Sequence, residues 1–195
     1  MGLLEKLSEW FGGGGTPATV LVLGLDNSGK TALLQAFRQP DQRNSKPTTP
    51  TGLQNQEVFQ SGGVSFNACE LRGAARMRAL WEREYAHAEA LVWVVDAADR
   101  LRLAVARDEL QLAMAHPSLC ARRPPPPLLV LANKTDLQNA LSPTQLAAAL
   151  GLERITDKAW HICATSAITG AGVPEGIAWL ARQLRDQKIQ KTHNP

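Results

Sequence analysis

The chain has 195 residues, of which 44% are hydrophobic and 20% are charged, and its formal net charge at pH 7 is +3. This length and composition are typical of one soluble globular domain and argue against an intrinsically disordered protein. The small net charge and the lack of a basic stripe with interleaved aromatic residues also argue against a nucleic-acid-binding protein.

The three cysteines, Cys69, Cys120 and Cys163, do not have the C-x-x-C spacing of a zinc site. Their odd number is typical of reduced thiols in a cytoplasmic protein rather than of a disulfide framework. No apolar run approaches the ~18 to 20 residues of a spanning helix, and no secretory signal is visible. We therefore expect a cytoplasmic location.

The first eleven residues have the pattern of an amphipathic helix. Its apolar face comprises Leu3, Leu4, Leu7, Trp10 and Phe11. Glycines 12–15 follow and are expected to form a flexible linker. Such a helix either packs on its own domain or lies on a membrane surface. We expect residues 1–15 to form this helix and linker, 16–188 the main domain, and 189–195 a C-terminal tail.

A glycine-rich loop follows the first apolar strand, which is predicted over residues 18–23. The loop has the pattern G-x-x-x-x-G-K-T and comprises Gly24, Leu25, Asp26, Asn27, Ser28, Gly29, Lys30 and Thr31. A helix predicted from about Gly29 to Arg38 adds the positive end of its dipole. In such a loop the backbone N–H groups cradle a diphosphate, the lysine reaches the β- and γ-phosphates, and the threonine hydroxyl can ligate Mg²⁺. The sequence therefore predicts a phosphate-binding loop.

Strands and helices alternate along the rest of the chain. The predicted elements are a hairpin of strands 56–60 and 64–70, a strand over 90–95, and helices over 101–114, 143–150 and 173–185. The first of these helices is expected to be amphipathic, with Leu101, Val105 and Leu112 on repeating turns. Mostly parallel strands joined by helices indicate a doubly wound α/β domain, whose ligands bind at the carboxyl ends of the strands.

A second buried strand, predicted over residues 128–133, ends in the pattern N-K-x-D. The carboxylate of Asp136 can accept hydrogen bonds from the N1–H and the 2-amino group of guanine, and adenine offers no such pair of donors. Lys134 is expected to lie along the ring, and Asn133 is expected to tie this loop to the phosphate-binding loop.

Ser166 and Ala167 follow another apolar strand, where the Ala167 N–H can reach guanine O6. Asn and Asp are also common in ordinary strand-to-helix turns, so one such motif alone would say little. Three motifs at successive strand ends favour a guanine-nucleotide site.

Together these motifs resemble those of Arf-like small GTPases. The resemblance includes the phosphate-binding loop, Leu80-Trp81-Glu82 and residues 94–102, and it is closer to the Bardet–Biedl group of that family in residues 1–4, 157–164 and 176–180. It implies a small-GTPase G domain with a doubly wound, mostly parallel six-stranded sheet, one antiparallel hairpin and helices on both faces. GTP or GDP and Mg²⁺ are the implied ligands, and we expect a monomer.

The resemblance also implies two switch segments, and switch I should supply a threonine to Mg²⁺. Thr51 in Pro50-Thr51 fits this role, because Asn55 and Glu57 follow at the family spacing. Thr48 and Thr49 are alternatives for the same role.

In switch II the family has Asp-x-x-Gly-Gln, whereas this chain has Glu70-Leu71-Arg72-Gly73-Ala74. Gly73 can still donate its N–H to a γ-phosphate, and Glu70 keeps a carboxylate for the Mg²⁺ site. Ala74 replaces the glutamine that orients the attacking water and cannot form a hydrogen bond through its side chain. The sequence thus identifies no catalytic residue, and we expect very slow GTP hydrolysis.

The Bardet–Biedl group recruits the BBSome coat to ciliary membranes, which implies peripheral membrane attachment at the cilium or its base. Arf relatives hold the N-terminal helix in a groove when GDP is bound and release it onto the membrane when GTP is bound. Lys6 stands where the pattern for myristoylation at Gly2 requires Ser or Thr, which argues against that modification.

Arf relatives bind effectors through an aromatic triad, and the three positions here are Gln54, Cys69 and Glu84. The effector surface is therefore expected to be smaller and more polar. We expect an acidic partner that contacts Arg76, Arg78 and Arg83, whereas Trp81 is expected to belong to the core.

Two alternative functions remain at this stage. A pseudo-GTPase scaffold, with constitutive or absent nucleotide binding, is favoured by Glu70, Arg72 and Ala74. A P-loop kinase would need a second substrate-binding region and a base pocket without N-K-x-D. The sequence indicates neither the exchange factor nor the activating protein.

Overall fold

The computed structural model of the protein describes residues 16–37 and 54–193. The predicted N-terminal helix, the switch I threonine Thr51 and residues 194–195 lie outside this part of the chain.

Across the described residues, six strands form one sheet in the order β2-β3-β1-β4-β5-β6. The strands are β1 (Ala18–Leu23), β2 (Gln54–Ser61), β3 (Val64–Leu71), β4 (Ala90–Asp96), β5 (Leu128–Asn133) and β6 (Trp160–Ala164). β2 pairs antiparallel with β3, and every other neighbouring pair is parallel. The predicted doubly wound, mostly parallel sheet with one hairpin is confirmed.

Seven α-helices lie within residues 16–37 and 54–193. They are α1 (Lys30–Ala36), α2 (Ala75–Arg78), α3 (Glu82–Tyr85), α4 (Leu103–Ala115), α5 (Pro117–Cys120), α6 (Pro143–Leu150) and α7 (Val173–His193), and 3₁₀ turns cover Arg100–Arg102 and Leu152–Arg154. α7 continues past residue 185, where the sequence pattern predicts its end, and includes residues assigned to the tail. None of the described helices is both long enough and apolar enough to cross a membrane.

Helices cover both faces of the sheet, as the sequence predicts. One layer of the core is formed by α4, α6 and the segment after β3, and includes Leu21, Trp93, Val130, Leu110, Leu146 and Trp81. The other layer is formed by α1 and α7, and includes Val20, Val92, Leu129, Leu33, Ile177 and Leu180. The central strands are buried on both faces and therefore read as continuous apolar runs.

The apolar face predicted for α4 is wrong. Leu101 is 95% exposed and Leu112 is 68% exposed, and Val105 also faces solvent. The helix instead buries Ala106, Leu110, Ala113 and Met114. The physical reason is that two of the buried positions are alanines, which let the helix approach the sheet closely, whereas the sequence pattern gives most weight to large side chains.

The turns and caps have recognisable local sequence patterns. Ser142 and Gln145 form a capping box at the start of α6, with Pro143 in the first turn. Gly62 and Gly63 connect β2 to β3 with φ values of 54° and 75°, the backbone that a tight hairpin turn requires.

Candidate functional site

The phosphate-binding loop is the turn between β1 and α1. Gly24 has φ 138°, and a Cβ atom there would lie 2.2 Å from the Val94 carbonyl oxygen. Gly29 has φ 94°, and a Cβ atom there would lie 2.2 Å from Asn133 Nδ2. Both ends of the loop therefore require glycine, because backbone and neighbouring atoms occupy the space of any side chain.

Lys30 is buried inside the curve of the loop. Its Nζ donates hydrogen bonds to the carbonyls of Gly24 (3.0 Å) and Leu25 (2.7 Å). Burial lowers the pKa of Lys30, although the carboxylates of Glu70 and Asp26 act in the opposite direction. The ammonium group thus lies against two carbonyls at the start of the loop, where it can meet a phosphate.

Two of the three predicted metal ligands come together beside the loop. Thr31 Oγ1 donates to Glu70 Oε1 at 2.7 Å, and Asn55 Nδ2 donates to Glu70 Oε2 at 2.9 Å. The side chain of Glu70 is one methylene longer than the family's aspartate, and its carboxylate still lies within hydrogen-bond distance of Thr31. A hydroxyl and a carboxylate are the hard oxygen donors that suit Mg²⁺, so this pair fits the implied ion. Thr51 lies outside the described residues.

Gly73 of switch II packs directly against the phosphate-binding loop. A Cβ atom on Gly73 would lie 2.3 Å from the Gly24 carbonyl oxygen and 2.4 Å from the Asp26 nitrogen. The next residue, Ala74, is half-buried and precedes α2. Gly73 is therefore fixed by contact with the loop, and no hydrogen-bonding side chain follows it at the position of the family's glutamine.

Asn133 joins the predicted base loop to the phosphate-binding loop. Its Nδ2 donates to the Ser28 carbonyl at 2.9 Å, and its Oδ1 accepts from the Ala167 N–H at 3.1 Å. Only 1% of Asn133 is exposed. The Ala167 N–H, which was expected to reach guanine O6, is therefore donated to Asn133 in this structure. Ser166 is buried and its Oγ accepts from the Thr169 N–H.

Lys134 and Asp136 follow β5 on the same edge of the sheet. Lys134 has a left-handed backbone with φ 66°, and its Nζ lies 2.7 Å from Asp96 Oδ2. Asp136 is exposed and lies two residues after Lys134.

The predicted residues fit a guanine nucleotide in the arrangement that they adopt. One end of the sheet carries all three features. They are the glycines at which a Cβ atom would clash with neighbouring atoms, the buried ammonium of Lys30 and the exposed Asp136. The hydroxyl of Ser28 is buried without a hydrogen-bond partner among the described residues, so the loop still has an unsatisfied polar atom. Asn27 is exposed at the tip of the loop with φ 59°.

Sequence reasoning missed a group of charged residues that borders this site. Arg102 contacts Asp26 and Asp99, and Asp96 pairs with Lys134 as described above. Asp96 is the last residue of β4 and Asp99 lies three residues further on, so their position at the carboxyl end of a strand was the available signal.

The surface of switch II differs from its prediction at one arginine. Arg78 Nη1 lies 2.6 Å from Glu109 Oε1, and Arg78 Nε donates to the Gly73 carbonyl at 2.9 Å. Its side chain is 14% exposed, so Arg78 is already neutralised within the domain. Arg76 and Arg83 are exposed and remain oriented toward solvent.

Two of the positions singled out near switch II are buried. Cys69 is 5% exposed, and burial raises the pKa of its thiol to about 11. Trp81 is 2% exposed, packs edge-on against Trp93, and donates its Nε1–H to the Arg72 carbonyl at 3.0 Å. The predicted core role of Trp81 is confirmed.

Comparison with known proteins gives concordant matches. A sequence model of the ADP-ribosylation factor family matches residues 4–184. ADP-ribosylation factor-like protein 6 of Danio rerio is 42% identical over 188 residues, which is 96% of this chain and 100% of that protein. The protein of the same name from Caenorhabditis elegans is 33% identical over 94% of this chain and 95% of its own length. Among solved structures, the Arl6 BBS3 small GTPase of Trypanosoma brucei with bound nucleotide analogue GppNp matches with a TM-score of 0.78 and 33% identity, covering 88% of this chain and 99% of that one.

Proposed function

The chain belongs to the ADP-ribosylation factor family of small GTPases, and on this premise we propose that it is a guanine-nucleotide switch that recruits a BBSome-type coat to membranes. The observation that carries the proposal is the contact of Asn133 with both Ser28 and Ala167. This side chain makes one site out of the phosphate-binding loop and the base loop. The choice of coat, and a location at the cilium or its base, follow from the sequence resemblance to the Bardet–Biedl group; the comparisons add the whole-length similarity to ADP-ribosylation factor-like protein 6.

Each part of the nucleotide has a proposed partner in this site. Lys30 and the N–H groups of residues 24–31 hold the phosphates, and Asp136 and Lys134 hold the base. Thr31, Glu70 and Thr51 hold Mg²⁺, which neutralises phosphate charge when bound. Gly73 packs against the loop, and we propose that its N–H meets the γ-phosphate there, which would make switch II sensitive to the nucleotide.

GTP hydrolysis is proposed to be much slower than in typical relatives. Catalysis of this reaction consists mainly of positioning and charge stabilisation. Ala74 offers no hydrogen bond to a water molecule, so the attacking water is not oriented by this side chain. The switch would then stay in the GTP state for longer, and its return to the GDP state would depend on groups supplied by an activating protein.

A pseudo-GTPase scaffold is the second candidate. The observations that favour it are Ala74 and the packing of Gly73 on the phosphate-binding loop. The two candidates differ in their nucleotide content and in the dependence of partner binding on nucleotide.

The test has two stages and uses the full-length protein. Nucleotide released from the purified protein by denaturation is identified by chromatography, and we expect GDP or GTP. The protein is then loaded with GDP or a non-hydrolysable GTP analogue and incubated with liposomes and purified BBSome coat. We expect sedimentation of the coat only with the GTP analogue, and Thr31→Ala, which removes the hydroxyl that contacts Glu70 in the proposed metal site, should abolish this difference.

Coat recovery that is equal in both nucleotide states, or absent from both, would contradict the recruitment proposal. Binding of the coat by a protein that contains no nucleotide would favour the scaffold.

A further inference from the structure

Arg102 connects the tip of the phosphate-binding loop to the start of α4. Its Nη1 donates to the Asp26 carbonyl at 3.2 Å and lies 3.4 Å from Asp26 Oδ1. Its Nε donates to Asp99 Oδ2 at 2.5 Å, and its backbone N–H donates to Asp99 Oδ1 at 3.3 Å. One guanidinium group therefore holds Asp26 and is itself held by the residue that caps the 3₁₀ turn.

Asp26 places a negative charge on a loop whose other groups attract phosphate. The Asp26 carboxylate raises the pKa of Lys30 and the Arg102 guanidinium lowers it, so both groups lie within electrostatic range of the ammonium that is expected to bind phosphate. The side chain of Asp26 is 57% exposed. Without a partner this side chain would be free to rotate toward the position of the phosphates, where it would repel a bound anion.

This repulsion depends on the charge of the nucleotide. GTP carries one more phosphate group than GDP, and that group is the one that approaches switch II. A carboxylate that lies close to the bound phosphates therefore disfavours GTP more strongly than GDP. Neutralising or turning away Asp26 shifts the preference toward GTP.

We propose that Arg102 is a positioning residue that holds the Asp26 carboxylate away from the phosphates and thereby raises the affinity for GTP relative to GDP. The inference rests on the proposed nucleotide-binding function. Arg102 itself need not touch the nucleotide, because it acts through the orientation and charge of Asp26. Asp99 contributes by fixing the guanidinium at the start of α4.

The test is a double-mutant cycle read by equilibrium binding. Fluorescent GDP and a fluorescent non-hydrolysable GTP analogue are titrated separately into nucleotide-free wild type, Arg102→Ala, Asp26→Asn and the double variant. We expect Arg102→Ala to lower the affinity ratio of the GTP analogue to GDP by about five- to tenfold. In the double variant the ratio should return to within about twofold of the wild-type value, because the unpartnered carboxylate is gone.

Arg107→Ala is the matched control. It removes the same charge from α4, the helix that follows the 3₁₀ turn containing Arg102, and there Arg107 pairs with its neighbour Asp108 at 2.9 Å. We expect the affinity ratio of this variant to equal that of wild type. Thermal unfolding without nucleotide, followed by circular dichroism, checks that each variant is folded.

Equal losses of affinity for both nucleotides in Arg102→Ala would overturn the proposal, as would failure of the Asp26→Asn change to restore the ratio. If Arg102→Ala does not fold, Asp99→Asn replaces it, and an unchanged ratio in that variant counts against the proposal. Failure of the wild type to bind either nucleotide would instead contradict the proposed function itself.

Discussion

Asp136 is the residue on which the preference for guanine is expected to depend. Changing it to Asn replaces one acceptor oxygen by a donor that faces the two donors of guanine. We expect Asp136→Asn to lose at least about a hundredfold in affinity for GDP and to shift its preference toward xanthosine diphosphate. Titration of the wild type and of Asp136→Asn with GDP and with xanthosine diphosphate measures this change.

Asp108→Asn provides the control for this exchange, because Asp108 is exposed on α4 and pairs with Arg107. It should leave both affinities unchanged. If the wild type binds GDP and xanthosine diphosphate equally weakly, the proposed base site is wrong.

Ala74 is the residue at which the rate of hydrolysis is expected to be limited. Ala74→Gln supplies an amide that can orient water, so we expect faster single-turnover hydrolysis, by about tenfold or more, and a larger gain when it is combined with Glu70→Asp. Phosphate release from GTP-loaded protein is the measurement. Ala79→Gln places the same side chain at an exposed position just after α2 and should have no effect. Rapid turnover by the wild-type protein would show that another group orients the water.

At the level of single residues, contiguous motifs could be predicted and contacts between distant residues could not. The glycine-rich loop and N-K-x-D are local patterns whose chemistry follows from their spacing. The contact of Asn55 with Glu70 arises because the antiparallel register places these residues opposite each other. The contact of Arg102 with Asp26 depends on how the start of α4 packs beside the loop, which no local pattern encodes.

At the level of elements, the long strands and helices were predictable because each has a repeat long enough to detect. Helices α2, α3 and α5 have four residues each, and one turn gives no periodicity. The orientation of α4 was mispredicted for a different reason, since its buried face is partly alanine and its large residues Val105 and Leu112 face solvent.

The N-terminal segment is the element on which membrane attachment is expected to depend. Its five large apolar side chains could each contribute up to ~1.5 to 3 kcal/mol if fully buried, and interfacial burial supplies only part of this. We expect deletion of residues 2–11 to abolish sedimentation of the GTP-loaded protein with liposomes. Leu112→Ser, which removes an exposed apolar side chain from the folded domain, should sediment like wild type. Unchanged sedimentation of the truncated protein would place the membrane contact elsewhere.

For the whole molecule, the distribution of charge around switch II predicts the chemistry of the effector. A pocket of about 90 Å³ between β3 and the segment 77–84 is lined by Leu71, Arg72, Met77, Leu80, Trp81, Arg83 and Glu84. Arg72, Arg76 and Arg83 are exposed around it, whereas Arg78 is neutralised by Glu109. A partner that inserts an apolar side chain and surrounds it with acidic groups would complement this surface.

We therefore expect the combined change Arg76→Glu and Arg83→Glu to weaken binding of the GTP-loaded protein to its coat partner by about tenfold or more, because two attractive charges become repulsive. Binding to wild type should also weaken as salt concentration rises, since exposed charges are screened. Biolayer interferometry with the purified coat at low and high salt measures both effects. Arg182→Glu reverses an exposed charge on α7, which packs on the opposite face of the sheet, and should bind like wild type. Equal affinities of the double variant and wild type, with no dependence on salt, would contradict the electrostatic contact and leave the apolar pocket as the main determinant of recognition.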